Sequence, residues 1–254
     1  MKALLKSAVS RSTFLRSSLG RRAHIDYYSH GLAGRDGALL QSVLDSLIGS
    51  RSVVPFGDKP SGDASSATLS FDDGFSSCFW IGQEIERRGG TACFFLNVAG
   101  IGLTDSDDIA SVYGSRQPER PLNWDEVEKL VSAGHTIGSH AMTHHRLSEY
   151  SVERIVDEVG RSRNELVGRL GMCDHFAWPF GTWSDFPVEA VAPVCGLGFR
   201  TLSSATRGWN RSRRHADELI DPSSLIERET FQWEDPVDLT LGLVGLSSLV
   251  RSPR

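Results

Sequence analysis

Short apolar runs alternate with stretches of helical period along most of this chain. The run Ala23-His24-Ile25-Asp26-Tyr27-Tyr28 predicts a first strand that ends at Ser29-His30-Gly31. Residues 38–48 place Leu39, Leu40, Val43, Leu44, Leu47 and Ile48 on one helical face, with Gly49 as the stop. A brief strand, Ser52-Val53-Val54-Pro55, precedes a Gly-, Ser- and Asp-rich loop over 57–66. The stretch Ala67-Thr68-Leu69-Ser70-Phe71-Asp72-Asp73-Gly74 reads as a buried strand that stops at two adjacent carboxylates and a glycine. Residues 75–88 are helical in period, and Thr91-Ala92-Cys93-Phe94-Phe95-Leu96 is a buried-strand run.

Residues 100–120 show no period and are expected to form a long loop. Asn123 followed by Glu126 forms a capping box that starts a helix with Trp124, Val127, Leu130 and Val131 as its buried stripe. His135-Thr136-Ile137-Gly138 is the next strand and delivers Ser139 and His140. Ser151 caps a longer helix whose stripe runs Val152, Ile155, Val156, Val159, Leu166, Val167, Leu170, closed by Gly171. His175-Phe176-Ala177-Trp178 is a strand broken at Pro179-Phe180-Gly181, residues 188–194 a helix, 198–202 a strand, and 239–250 a final helix. Strands alternating with helices imply parallel βαβ units, and the most unusual stretches all follow predicted strands. In a barrel of such units those strand ends converge on one face. No internal repeat or domain boundary is visible, so residues 24–254 are expected to be a single α/β domain.

Composition narrows the classes. Hydrophobic residues make up 39% and charged residues 23%, ordinary for a globular protein. A net charge of −5 gives no electrostatic footprint for nucleic acid. The four cysteines, Cys78, Cys93, Cys173 and Cys195, form no CxxC pair, which suits a reducing compartment and leads us to expect a cytoplasmic protein. No stretch approaches the ~20 apolar residues of a membrane span. Residues 1–23 stand apart: Lys2, Lys6, Arg11, Arg16, Arg21 and Arg22 occur there without an acidic residue. Three readings stay open for this segment, namely a basic amphipathic helix making peripheral contact with a membrane, an organelle transit peptide, or a terminal helix packed on the domain.

Adjacent carboxylates at a strand end need a cation or a shared proton, although Asp-Asp-Gly is also ordinary turn chemistry. His140 and His144 stand at a spacing that can grip a metal. One carboxylate and two imidazoles form a ligand set for a catalytic divalent ion, and a second carboxylate beside it can take a proton. Zinc proteases share the His-x-x-x-His spacing but need Glu after the first His, where this chain has Ala141. His24, His135, His145, His175 and His215 read as surface or satisfied core residues, and Trp209 sits in a polar loop.

Three motifs, Ser70-Phe71-Asp72-Asp73-Gly74, the stretch GSHAMTHHRLS over 138–148, and Phe176-Ala177-Trp178-Pro179-Phe180-Gly181, resemble in order the leading motifs of the polysaccharide deacetylase family, also called NodB-homology domains or carbohydrate esterase family 4. The resemblance runs over about 53–200. It implies a distorted (β/α) barrel of seven or eight strands and one divalent metal ion, often zinc, held by Asp73, His140 and His144. It implies Asp72 as the general base acting on metal-bound water, and a backbone amide near Phe180 that holds the oxyanion. Trp178 would stand beside the substrate, where an FAYP-type subgroup has Tyr. The family's third motif often carries an Arg that steers the base, and that position is Ala177 here. No late Leu-x-His motif supplies the general acid. Tyr28-Ser29-His30 resembles an N-terminal Tyr-His arrangement of some members with one residue inserted, which nominates His30, with His215 as the fallback. The expected substrate is an acetylated glycan, with removal of an N-acetyl group from a sugar, polysaccharide or glycolipid intermediate. The alternatives are a deformylase or amidohydrolase acting on a non-sugar amide, and a non-catalytic glycan-binding relative.

Overall fold

A computed structural model describes residues 24–32, 37–50, 52–58, 66–205 and 225–230. The basic segment 1–23, the helix expected over 239–250, Trp209 and His215 lie outside them. The described chain runs β1 (His24–His30), α1 (Ala38–Ser50), β2 (Ser52–Val53), β3 (Ser66–Asp72), α2 (Ser77–Glu86) and β4 (Cys93–Leu96). It continues through α3 (Ser106–Tyr113), α4 (Trp124–Ser132), β5 (Thr136–Ser139), α5 (Val152–Leu170), β6 (His175–Ala177), α6 (Val188–Cys195) and β7 (Thr201–Ser204). Two short strands, β8 (Leu225–Glu227) and β9 (Glu229–Thr230), complete it.

All of the described strand pairs are parallel, in the spatial order β8-β7-β6-β5-β4-β3-β1-β9, with β2 on the start of β3. The two ends of that order are neighbours in sequence: Arg228 alone separates β8, paired to β7, from β9, paired to β1. The sheet therefore curls until both of its edges meet on residues 225–230. This is the distorted (β/α) barrel expected from the sequence.

The strand sequences explain the two layers. In β3 alternate residues face opposite ways. Ala67, Leu69 and Phe71 point outward and pack with Leu40, Val43, Leu44 and Leu47 of α1 in the main core. Thr68, Ser70 and Asp72 then point inward. β4 repeats the pattern, with Phe94 and Leu96 in the outer core, and Cys93 and Phe95 inside with Phe56, Ala177 and Ile226. Each fully buried Leu or Phe contributes ~1.5–3 kcal/mol, so the outer layer holds the helices against the sheet.

The caps behave largely as the sequence expects. Asn123 and Glu126 exchange side-chain and backbone hydrogen bonds in a capping box. The Ser151 hydroxyl accepts from the Arg154 amide, and Gly171 ends α5 in the left-handed region. Three details differ. The stripe of α4 is narrower than expected, because Val127 and Leu130 are buried while Val131 is exposed and Trp124 half-buried. The last of the central strands begins at Thr201 rather than 198, since the chain turns through Gly198 at φ 94°. The supposed loop over 100–120 contains α3: the Asp105 carboxylate accepts from the Asp107 and Asp108 amides, and Ile109, Val112 and Tyr113 bury one face. At two turns such a helix is too short for its period to stand out.

Candidate metal and catalytic centre

The ends of β3, β5 and β6 carry the three sequence motifs. Each motif holds one non-glycine residue with positive φ: Asp73 at 74°, Ala141 at 67° and Phe180 at 63°. No other described non-glycine residue has one. Such conformations cost of order 1–3 kcal/mol each and persist where surrounding structure imposes them. At Asp73 the reversal swings the carboxylate off the strand's alternation and over the barrel mouth, while Asp72 stays aimed inward. The two aspartates thus diverge although they are adjacent.

Asp73, His140 and His144 offer ligand atoms that all lie within 4.8 Å of one another. Asp73 Oδ1 stands 3.5 Å from His140 Nε2 and 3.3 Å from His144 Nε2, and it is buried without a hydrogen bond in usable geometry. His140 Nδ1 is 2.7 Å from the Ala177 carbonyl oxygen, which can only accept. The proton of the neutral ring therefore sits on Nδ1, and the Nε2 lone pair faces Asp73. A buried carboxylate oxygen without a donor, beside an imidazole lone pair, is what a divalent cation would satisfy. The residues fit the implied metal.

Backbone bonds hold the ligands in place. The His140 amide donates to Leu96 O at 2.8 Å, and Asn97 Nδ2 donates to His140 O at 2.6 Å. Between the two histidines, the Thr143 amide and hydroxyl both donate to Glu158 Oε1 on α5. Burial pushes the Asp73 carboxyl up, and the His30 contact at Oδ2 pulls it down.

Asp72 is buried, and Arg228 grips it with two nitrogens, Nη1 to Oδ1 at 2.6 Å and Nη2 to Oδ2 at 2.8 Å. The fork extends from Nη1 to the Ser70 hydroxyl and from Nε to the Ser204 carbonyl. The guanidinium, itself fully buried, lies 4.6 Å from the Tyr28 ring centroid and 5.0 Å from that of Phe95. Burial raises the Asp72 pKa, but the Arg228 charge and bonds reverse this and keep the carboxyl below its ordinary value. Arg228 was not foreseen from the sequence: Ala177 leaves the third motif without an arginine, and the only cue to a replacement is a lone Arg shortly after the apolar pair Leu225-Ile226.

His30, at the end of β1, pairs with Asp72 across the sheet, and its Nδ1 is 3.1 Å from Asp73 Oδ2. Its side chain is 54% exposed and so open to the mouth. Desolvation lowers its pKa, and the bond and charge of Asp73 with the charge of Asp72 more than reverse that, to about 8. Phe180 is exposed at the rim, 4.7 Å from His144 by ring centroids, with the Arg146 guanidinium 4.1 Å from the Phe180 ring centroid. Asp185 ties the two loops together, because Arg146, the Thr182 amide and the Thr182 hydroxyl all bond to its carboxylate. Gly181 follows at φ 70°, where a Cβ would come within 2.8 Å of the Ala205 backbone nitrogen.

Trp178 is placed differently from the expectation. It is wholly buried, stacked on Phe186 at 5.0 Å, and its indole N–H donates to Thr182 O. Its apolar bulk finds more surface in the core beside Trp183 than at the rim, so it supports the Phe180 turn from beneath. His135 and His175 are core residues, bonded to Gly82 O and to the Thr201 hydroxyl respectively.

Residues 59–196 match the polysaccharide deacetylase family model. The chitooligosaccharide deacetylase of Sinorhizobium fredii is 31% identical over 113 residues, which is 43% of this chain and 49% of that protein. The chain thus spans about half the length of this curated relative. The polysaccharide deacetylase BC0361 of Bacillus cereus superposes with a TM-score of 0.67 at 14% identity, over 88% of this chain and 69% of that one. IcaB from Ammonifex degensii gives 0.65 at 14% identity, over 86% and 97%. At such identities the superpositions establish the fold.

Proposed function

Given that the chain belongs to the polysaccharide deacetylase family, we propose that it is a metal-dependent hydrolase that removes N-acetyl groups from an amino-sugar oligomer or glycan. The observation that carries this reading is the convergence of Asp73, His140 and His144 around a buried carboxylate oxygen that lacks a hydrogen bond. Asp73, His140 and His144 would hold a divalent ion, zinc by the ligand chemistry, which would supply Lewis-acid polarisation of the acyl carbonyl and acidify water. The other groups move protons and hold charge. Asp72 accepts the proton of the attacking water on a carboxylate oxygen, ionised and fixed in direction by the Arg228 fork. The Phe180 backbone amide donates to the oxyanion as the acyl carbon becomes tetrahedral. His30, whose Nδ1 is held by Asp73 Oδ2, gives the proton of its other nitrogen to the departing amine. The C–N bond breaks, and the products are acetate and a free amino sugar.

Support for a sugar substrate comes from the family and from the relative that acts on chitooligosaccharides. The test joins two measurements on the purified chain: metal content by elemental analysis, and acetate release from N-acetylated chitooligosaccharides before and after chelation. We expect about one divalent ion per chain and release that disappears with the metal and returns on adding zinc. A protein that binds no divalent ion at these residues would sink the reading.

A further inference from the structure

Two consecutive residues of α3 contact two of the three proposed ligands, which themselves come from different loops. Tyr113 Oη donates to the backbone carbonyl oxygen of Asp73 at 2.9 Å. The Val112 carbonyl accepts the backbone N–H of His144 at 2.8 Å. The Tyr113 ring also lies along the His144 imidazole, with centroids 6.2 Å apart and planes at 26°, and packs on Phe75 at 4.9 Å. Gly100 leaves room for the hydroxyl, since a Cβ there would come within 2.8 Å of it. The carbonyl that Tyr113 holds belongs to a residue at φ 74°, whose direction the strand alone does not set.

We propose that Tyr113 is a positioning residue of the metal centre: its hydroxyl fixes the left-handed turn at Asp73 while its ring steadies His144, so that α3 serves as a brace between the first and second motif loops. This inference rests on the reading of Asp73, His140 and His144 as metal ligands. It goes beyond the family's motifs, because Tyr113 lies outside all three. Groups that orient ligands typically change metal affinity by about 10- to 100-fold when removed.

Tyr113→Phe separates positioning from packing, because it keeps the ring and removes the hydroxyl. The zinc dissociation constant of the full chain is measured by competition with a chromophoric chelator, beside the thermal midpoint of the metal-free protein. The expected result is zinc affinity about 10-fold weaker or more, with a metal-free midpoint that falls only slightly and stays well above the assay temperature. Equal zinc affinity in variant and wild type overturns the inference and leaves the metal reading intact. A fall in the metal-free midpoint that accounts for the weaker binding assigns the hydroxyl to folding and also overturns it. A wild-type chain that takes up no zinc overturns the metal reading and this brace together.

Discussion

Arg228 meets Asp72 through a two-pronged ion pair at 2.6 and 2.8 Å across 156 positions of sequence. It does so from the single residue between the strands that join the two edges of the sheet. Closure of the barrel and placement of the proposed base are thus one event. Arg228→Met leaves a buried carboxylate without its partner, which typically costs about 3–5 kcal/mol. We expect a loss of that order in urea unfolding. Arg228→Lys, which keeps charge without the fork, should recover part of the stability and less of the rate.

Asp72→Asn and Asp73→Asn should fail in different ways. The first keeps metal and loses turnover by ~10²–10⁴-fold, as expected for a missing general base. The second weakens metal binding itself, because the orphaned Oδ1 between the two imidazoles is the oxygen a cation would take. Metal content and kcat measured on both variants check the division. Full activity in Asp72→Asn together with normal metal content in Asp73→Asn would reverse the assignment.

His30→Gln should retain metal and lose the alkaline limb of the pH–rate profile. The Asp73 and Asp72 carboxylates raise the imidazole pKa to about 8 against desolvation, so His30 carries its proton at neutral pH. A proton donor of this kind works below its pKa and stops as pH rises through it. The wild type should therefore lose activity as pH rises through the His30 pKa, which a cation on Asp73 brings below its metal-free value, and a variant with the same alkaline limb would exclude His30 as the acid.

At the opposite end of the barrel, His175 should make stability depend on pH. Burial, with the Arg200 charge, lowers its pKa from 6.5 to about 4. The unfolded chain therefore binds a proton that the folded chain refuses between those values, and stability falls as pH drops through that window. A shift of this size corresponds to about 3 kcal/mol at most. Urea melts of the metal-free protein at pH 7 and pH 4.5 should show the loss, and His175→Gln should diminish it. An identical pH slope in both proteins would count against the assignment.

Much of this molecule is legible along the chain. The alternation in Ser66-Ala67-Thr68-Leu69-Ser70-Phe71-Asp72 announces a strand with an apolar face and a polar face, and the Asn123–Glu126 box and the Ser151 cap mark where helices begin. These features depend on neighbours within a few positions, so local sequence determines them. The residue types and spacing of Asp73, His140 and His144 likewise suggest a ligand set before any fold is known.

Other features exist only once the sheet has curled. Positive φ at Asp73, Ala141 and Phe180 is imposed by contacts around each turn, against the preference of those residues. Trp178 stands in the third motif, yet the core beneath that turn claims it because an indole buries more apolar surface there than at the rim. Tyr113 and Arg228 reach the centre from a two-turn helix and from a six-residue closing segment over 225–230, neither of which carries a local signature of what it will touch. Which side chain meets a buried carboxylate is decided by the register and closure of the barrel, because only the completed ring brings residues so far apart in sequence within hydrogen-bonding distance.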